Sequence, residues 1–220
     1  NKTLSSLIDS FKGEIFFQDD LLDFKLSSMT EFLIRNYQIK PEVIYSRYID
    51  LTLQDSALKQ RIRKSIRPCI NWGEREMKIK VFDKKNIQFS IIEEFRLLHK
   101  EVAGRETRSK ESWQKHYECI QNNAGFVVIG YMGNKMVAGG YFSLSQTHSL
   151  YGLSASRRDL FDKPIFHSLL WNAIKYAKEN RVKIFETGLE YSKEQEQFLT
   201  KKKVSIAKFK AAFGGKLKAN

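Results

Sequence analysis

The stretch Lys208-Phe209-Lys210-Ala211-Ala212-Phe213-Gly214-Gly215-Lys216 sets three lysines, two phenylalanines and a glycine pair close to the C-terminal end. Chain ends usually fray into polar residues, so the phenylalanines suggest an anchored segment. On its own residues, Lys210 reads as a solvated lysine beside a core phenylalanine. Upstream, "FETG" puts Glu186 at a strand end, with Glu190 four residues later. A carboxylate there serves equally as a proton acceptor, a cap or a surface charge. His148 and Tyr151 fall on the preceding strand and read as packing residues. Gly139 and Gly140 inside a strand indicate either a bulge approached by a ligand or tight packing.

Other chemistries find little support. His99, His116, His148 and His167 form no HExxH or comparable ligand pattern, so no metal site is expected. Cys69 and Cys119 have neither metal spacing nor a disulfide framework, which suits a reducing, cytoplasmic compartment. No apolar run approaches the roughly 20 residues that cross a bilayer, and no signal peptide is visible. The chain begins at Asn1 without a methionine, which leaves room for residues upstream.

The 220 residues carry a formal net charge of +13, which concentrates anionic partners such as nucleic acid, phosphorylated donors or acidic lipids. Two basic segments, Lys59–Arg67 and Lys201–Lys218, lie far apart in sequence and are able to converge on one face. The first is read either as a contact for tRNA, a nucleotide-linked acceptor or phospholipid, or as a solvated helix face. Few aromatic residues interleave with it, which argues against a surface that reads RNA by base stacking.

These residues must be positioned by a fold that the hydrophobic periodicity outlines. Residues 1–48 form an N-terminal extension or partial domain containing "EIFF", "EFLIRNY" and "EVIY". Leu58, Ile62 and Ile66 predict a basic amphipathic helix stopping near Pro68, and "MKIKVFD" a strand. Ile91, Ile92, Phe95, Leu98 and Val102 make one helical stripe, and Trp113, Tyr117 and Ile120 another. "GFVVIGY", "KMVAGGYFSL" and "HSLYGLSA" then form an antiparallel meander, with a hairpin at Gly133-Asn134. Phe166, Leu169, Leu170, Ala173, Ile174 and Ala177 predict a long helix starting after Pro164 and ending near Glu179-Asn180. "KIFETGLEY" is a further strand, and the opening stretch a final strand or short helix.

Meander, helix and returning strand suit an α+β domain with a mixed, mostly antiparallel sheet. In order, "YIDLTLQDSALKQRIRKSIR", "VVIGYMGNKMVAGGYFSL", "SLYGLSASRR", "HSLLWNAIKYAKENRVKIFETG" and "KFKAAFGGKL" closely resemble the C-terminal half of the FemAB/FemX-like family. These are peptidoglycan-bridge aminoacyltransferases and their relatives in the GNAT N-acyltransferase superfamily. The resemblance runs from about Arg47 to Leu217, so residues 49–220 are expected to form one GNAT-like domain. Complete family members usually carry two such domains in tandem, whereas this chain is expected to hold one plus a reduced N-terminal part, without the long lysine-rich coiled coil that some members insert.

The resemblance implies transfer of an acyl or aminoacyl group from an activated ester or thioester to an amine of a cell-envelope precursor, amino sugar or amino acid. Donors consistent with it are acyl-CoA, another acyl-thioester or aminoacyl-tRNA, and the short chain favours a thioester. It carries the family's Phe-Lys pair onto Phe209 and Lys210, with Lys210 as the oxyanion or donor-phosphate contact. Ser154, Ala155 and Ser156 fall on the family's small-residue segment, usually Gly-Ala-Ser. On the same reading Glu186 is the proton acceptor, and Tyr151 and Gly188 line the donor site. The pyrophosphate-binding turn of acetyl-CoA enzymes has its place at "SRRDLFDKP", which lacks glycine and leaves Arg157, Arg158 and Lys163 to hold a phosphate by charge. Peripheral membrane contact is a further expectation. The competing reading is an inactive GNAT-like module that binds nucleic acid or anionic membrane through its basic face.

Overall fold

A computed structural model describes residues 2–10, 26–37, 39, 43–191, 195 and 199–219. Helices α1 (Lys2–Ser10) and α2 (Ser28–Tyr37) belong to one compact unit, Asn1–Ile44 with Ala219–Asn220, and Tyr45–Lys218 form a second. In the first unit, the Ser27 hydroxyl accepts from the Thr30 amide, and Arg35 pairs with Glu31 at 3.5 Å. "EIFF", residues 14–17, lies outside the described residues. The division at 44/45 falls four residues before the sequence boundary at 48/49, because Tyr45–Asp50 forms a strand (β1) paired to a strand near the C-terminus.

The second unit holds a seven-stranded sheet. Besides β1, its strands are β2 (Lys78–Phe82), β3 (Gly125–Met132), β4 (Lys135–Leu144), β5 (His148–Ser156), β6 (Ile184–Glu190) and β7 (Lys216–Ala219). Their order is β2-β3-β4-β5-β6-β1-β7. The β5–β6 pair is parallel, whereas β2–β3, β3–β4, β4–β5 and β1–β6 are antiparallel. The hairpin turns at Gly133-Asn134 as expected, with Gly133 left-handed at φ 58°.

Alternation along β3 shows how the two faces are covered. Phe126 and Val128 face a core shared with α7 (Ile165–Glu179) and α4 (Arg67–Glu76). Val127 and Ile129 face one built from α5 (Phe89–Ala103) and α6 (Lys110–Gln121). Each predicted helical stripe faces the sheet: Leu169, Leu170, Ala173, Ile174 and Ala177 of α7 are buried, as are Ile92, Phe95 and Leu98 of α5 and Trp113 and Ile120 of α6. Each such leucine, isoleucine or phenylalanine side chain contributes roughly 1.5–3 kcal/mol by leaving water.

Gly139 and Gly140 are accounted for by packing. A Cβ on Gly139 would come within 2.7 Å of the Phe95 ring, and one on Gly140 within 3.0 Å of Phe142 and Phe166.

Two local expectations are corrected. The single basic helix ending at Pro68 is instead α3 (Asp55–Arg61), a short 3-10 turn at Lys64–Ile66, and α4, which Pro68 opens. A proline lacks only an N–H that the first helical turn would leave unpaired, so it starts helices as readily as it stops them. The C-terminal stretch is neither strand nor short helix throughout. Helix α8 (Lys201–Ala211) carries Lys208, Phe209 and Lys210 in its last turn, and Gly214-Gly215 then reverses the chain into β7.

Candidate active site

The parallel pair β5–β6 is short. It registers at His148–Ile184, Ser149–Phe185 and Leu150–Glu186, after which both strands continue without pairing to each other. A bulge lies just beyond that point on each strand. On β5, Tyr141 pairs with Leu153 and Phe142 with Tyr151, so Gly152 is the extra residue. On β6, Arg47 pairs with Gly188 and Tyr48 with Glu186, so Thr187 is the extra residue. A bulge bends its strand and strengthens the local twist, so two facing bulges make the strands diverge. The result is a split in the middle of the sheet, bounded by Tyr151–Ser156 and Thr187–Glu190.

Lys210 occupies this split. Its Nζ lies 5.2 Å from the centre of the Tyr151 ring, within range of a cation–π contact, and 3.0 Å from where a Gly188 Cβ would stand. Gly188 is left-handed at φ 86°, which suits a residue without a side chain and leaves the amine its space. Burial pushes the Lys210 amine below its ordinary value, while the carboxylates of Glu186 and Glu190 pull it back up. The C-terminal end of α8 also favours a cation there.

The anchors foreseen for Lys210 are present. Phe209 packs edge-on against Phe213 (5.4 Å) and His167 (5.0 Å), and lies 6.2 Å from Phe166. Phe166 stacks in turn on Tyr151 at 5.7 Å. The Tyr151 hydroxyl is 2.5 Å from Ser154 Oγ, and burial pushes the phenol up to about 12, so it stays protonated near neutrality. The Thr187 hydroxyl on the β6 bulge is buried without a hydrogen-bond partner among the described residues. An unpaired buried hydroxyl costs on the order of 1–3 kcal/mol.

The two carboxylates have different surroundings. Glu190 is held by Arg47, whose Nε and Nη2 donate to its two oxygens at 2.8 and 2.7 Å. Arg47 Nη1 also donates to the Gly215 carbonyl at 3.0 Å, tying β6 to the turn after α8. Glu186 Oε2 lies 3.0 Å from His148 Nε2, and the His148 ring meets the Tyr48 ring edge-on at 5.8 Å.

The structure thus brings together Lys210, Gly188, Tyr151 and Glu186, with Ser154 joined through the Tyr151 hydroxyl and Phe209 beside them. Ser156 ends β5 opposite Ala138. Arg157 is bound to Asp159 at 3.0 Å and Glu101 at 3.2 Å, so its charge is already matched, and Arg158 is exposed. At the start of α7 the Ile165 amide donates to Lys163 and the His167 amide to Pro164, so these amides are not turned outward as a pyrophosphate cradle requires.

Arg47 carries no local sequence signal, and His148 reads from the sequence only as a packing residue. Arg47 and Glu190 are 143 residues apart, and no local pattern links them. The two basic segments do converge: the Arg63 amide donates to the Ala212 carbonyl at 2.9 Å, and a Cβ on Gly214 would touch Arg61. Exposed Lys59, Arg61, Arg63 and Lys64 therefore adjoin the end of α8. Among the described residues, no group of three or more His, Cys, Asp or Glu residues could hold a metal, and no helix is long and apolar enough to cross a membrane.

No family model matches the sequence, and no curated protein matches it either. Solved structures do. FemX superposes with a TM-score of 0.61 at 12% identity, over 79% of this chain and 59% of that one. L-PGS from Bacillus licheniformis gives 0.61 at 15% identity, over 87% and 63%. The C-terminal domain of a candidate lysylphosphatidylglycerol synthetase from Agrobacterium fabrum gives 0.60 at 14%, over 81% and 59%. The chain thus spans about three fifths of the length of each. At these identities the likeness is one of fold, and the expected α+β architecture, a mixed, mostly antiparallel sheet flanked by helices, is the architecture found.

Proposed function

We propose that the protein is an acyltransferase that moves an acyl or aminoacyl group from an activated ester or thioester to an amine. The observation that carries this reading is the Lys210 ammonium held in the split between β5 and β6. Attack of an amine on an ester or thioester builds negative charge on the carbonyl oxygen, so the reaction needs an aimed donor more than a covalent nucleophile. A fixed cation between Tyr151 and Gly188 is such a donor for a carbonyl that enters the split. Tyr151, Ser154, Ser156 and Gly188 line the donor site on this reading, and Phe209 fixes the turn that carries Lys210.

The donor is an acyl-thioester or an aminoacyl-tRNA, and the acceptor an amine on an envelope precursor, amino sugar or amino acid. One of the similar structures is the C-terminal domain of a candidate lysylphosphatidylglycerol synthetase, which favours an acceptor at the cell envelope; a cytoplasmic site of action belongs to the same proposal. Arg158 and Lys163 remain for a donor phosphate, and the exposed basic face of Lys59–Lys64 beside α8 suits a longer polyanion such as tRNA or a membrane surface.

Protein mixed with an acyl-CoA panel, acyl-carrier protein and charged tRNA should show a raised thermal midpoint with its donor. A ligand at about a hundred times its Kd adds roughly 2.7 kcal/mol. With that donor, Lys210→Ala should slow transfer about a hundredfold while leaving the midpoint within a few degrees. Unchanged turnover would remove Lys210 from the chemistry. The convergence of the basic segments favours a second reading, a non-catalytic polyanion-binding module. That reading requires binding without transfer, with an affinity that falls steeply with salt.

A further inference from the structure

We propose that His148 is the proton acceptor for the attacking amine, and that Glu186 is the residue that positions it. The inference rests on the acyl-transfer reading, and it divides between two residues the role first assigned to Glu186 alone. An amine that attacks a carbonyl must shed a proton, and the Lys210 ammonium is a donor that cannot take it. Glu186 is one of two carboxylates acting on Lys210, and its Oε2 is simultaneously 3.0 Å from His148 Nε2. The hydrogen bond to a carboxylate places a proton on Nε2, which leaves the lone pair on Nδ1. His148 sits three residues before Tyr151, in the first of the three registered pairs of β5 and β6, and its partner Glu186 belongs to the last pair, Leu150–Glu186, after which the strands part.

The surroundings suit a relay rather than a buried structural pair. The His148 side chain is 35% exposed and that of Glu186 14%, so the imidazole reaches solvent and the carboxylate stands behind it. Tyr48 of β1 meets the ring edge-on and limits its rotation, and Lys218 of β7 lies over the other ring of that contact, 5.4 Å from the Tyr48 centre. The Ser145 hydroxyl accepts from the His148 amide at 3.0 Å, which fixes the backbone at the start of β5. Among the described residues, Glu186 and Tyr48 contact the imidazole, Lys218 lies over the Tyr48 ring, and Glu186 and Glu190 both act on Lys210.

In the step, a bond forms between the amine nitrogen and the carbonyl carbon, and the ester oxygen or thioester sulfur leaves with its electron pair. The proton lost by the amine moves to Nδ1. The imidazolium, stabilised by Glu186, then passes that proton to the leaving group or to water.

The test is a pH–rate profile of the wild type, His148→Ala, His148→Gln and Glu186→Gln with the donor identified above. General-base catalysis contributes about a hundredfold or more, so His148→Ala and His148→Gln should each lose about that factor in kcat with little change in the KM for the amine. The acid limb of the profile should vanish in both, and added imidazole should restore part of the His148→Ala rate. Glu186→Gln should keep the limb and lose less. Nitrogen NMR on the wild type should find the proton on Nε2. Unchanged profiles in both His148 variants, or a proton on Nδ1, would overturn the proposal while leaving acyl transfer standing. A wild type inert toward every donor would overturn both.

Discussion

Substituting Gly188 by alanine perturbs the site in two separable ways. The residue is left-handed at φ 86°, where an L side chain costs about 1–2 kcal/mol. For a chain of this size, each kcal/mol moves the thermal midpoint by roughly 2–4 °C, so Gly188→Ala should melt about 2–8 °C lower. The second effect is local. The new methyl would lie 3.0 Å from Lys210 Nζ, closer than such atoms normally pack, so the amine must retreat by several tenths of an ångström. A misplacement approaching 1 Å costs about a hundredfold in rate, so the expected loss in kcat is about ten- to a hundredfold. Gly104 supplies the control. It ends α5 at φ 72° with nothing within 4 Å of its would-be Cβ, so Gly104→Ala carries similar strain without touching the site. Steady-state transfer at saturating donor, alongside the thermal midpoint, separates the two terms. Equal rate losses in both variants, or a full rate in Gly188→Ala, would refute the claim that the glycine keeps space for Lys210.

Other outcomes follow from the same geometry. Arg47→Ala leaves the nearly buried Glu190 carboxylate unpaired and should cost about 3 kcal/mol, whereas Arg47→Lys should recover only part because a single ammonium cannot span both oxygens; denaturant midpoints measure both. Burial holds His99, His116 and His167 below the ordinary value of 6.5. The unfolded chain therefore binds protons that the folded chain refuses, and stability should fall as pH drops through and below about 6.5, as thermal midpoints across pH 5 to 8 would record. Lys210 is depressed in the same sense, so in the alkaline range below its ordinary value of 10.5 its burial should make stability rise with pH, an effect Lys210→Met should abolish.

The parts of this fold that the sequence disclosed are those in which neighbours along the chain are neighbours in space. The stripe Leu169, Leu170, Ala173, Ile174 and Ala177 repeats at the helical period because one side of α7 meets the sheet, and Pro164 marks its start. Gly133-Asn134 declares its hairpin for the same reason. Pro68 misled because a proline's missing N–H is tolerated at a helix start, and only the packing of Ile70 and Gly73 beneath α7 decides the direction. Phe209 and Lys210 were legible through the motif, but the split that gives Lys210 its place depends on register shifts at Gly152 and Thr187, which arise from pairing between strands. His148 looked like packing because its partner, Glu186, is 38 residues away.

The strand order carries a consequence for how the molecule is made. Strand β1 enters early in the chain yet lies between β6 and β7, and Arg47 binds residues 143 and 168 positions downstream. The loop that closes is nearly the whole unit, so its entropy must be met before either contact rewards it. During synthesis the meander and α7 can collapse while β1 waits unpaired, and the surroundings of Lys210 are complete only after Gly215 has emerged. Catalytic competence should therefore appear as the last and slowest phase of refolding, later than the bulk of the secondary structure.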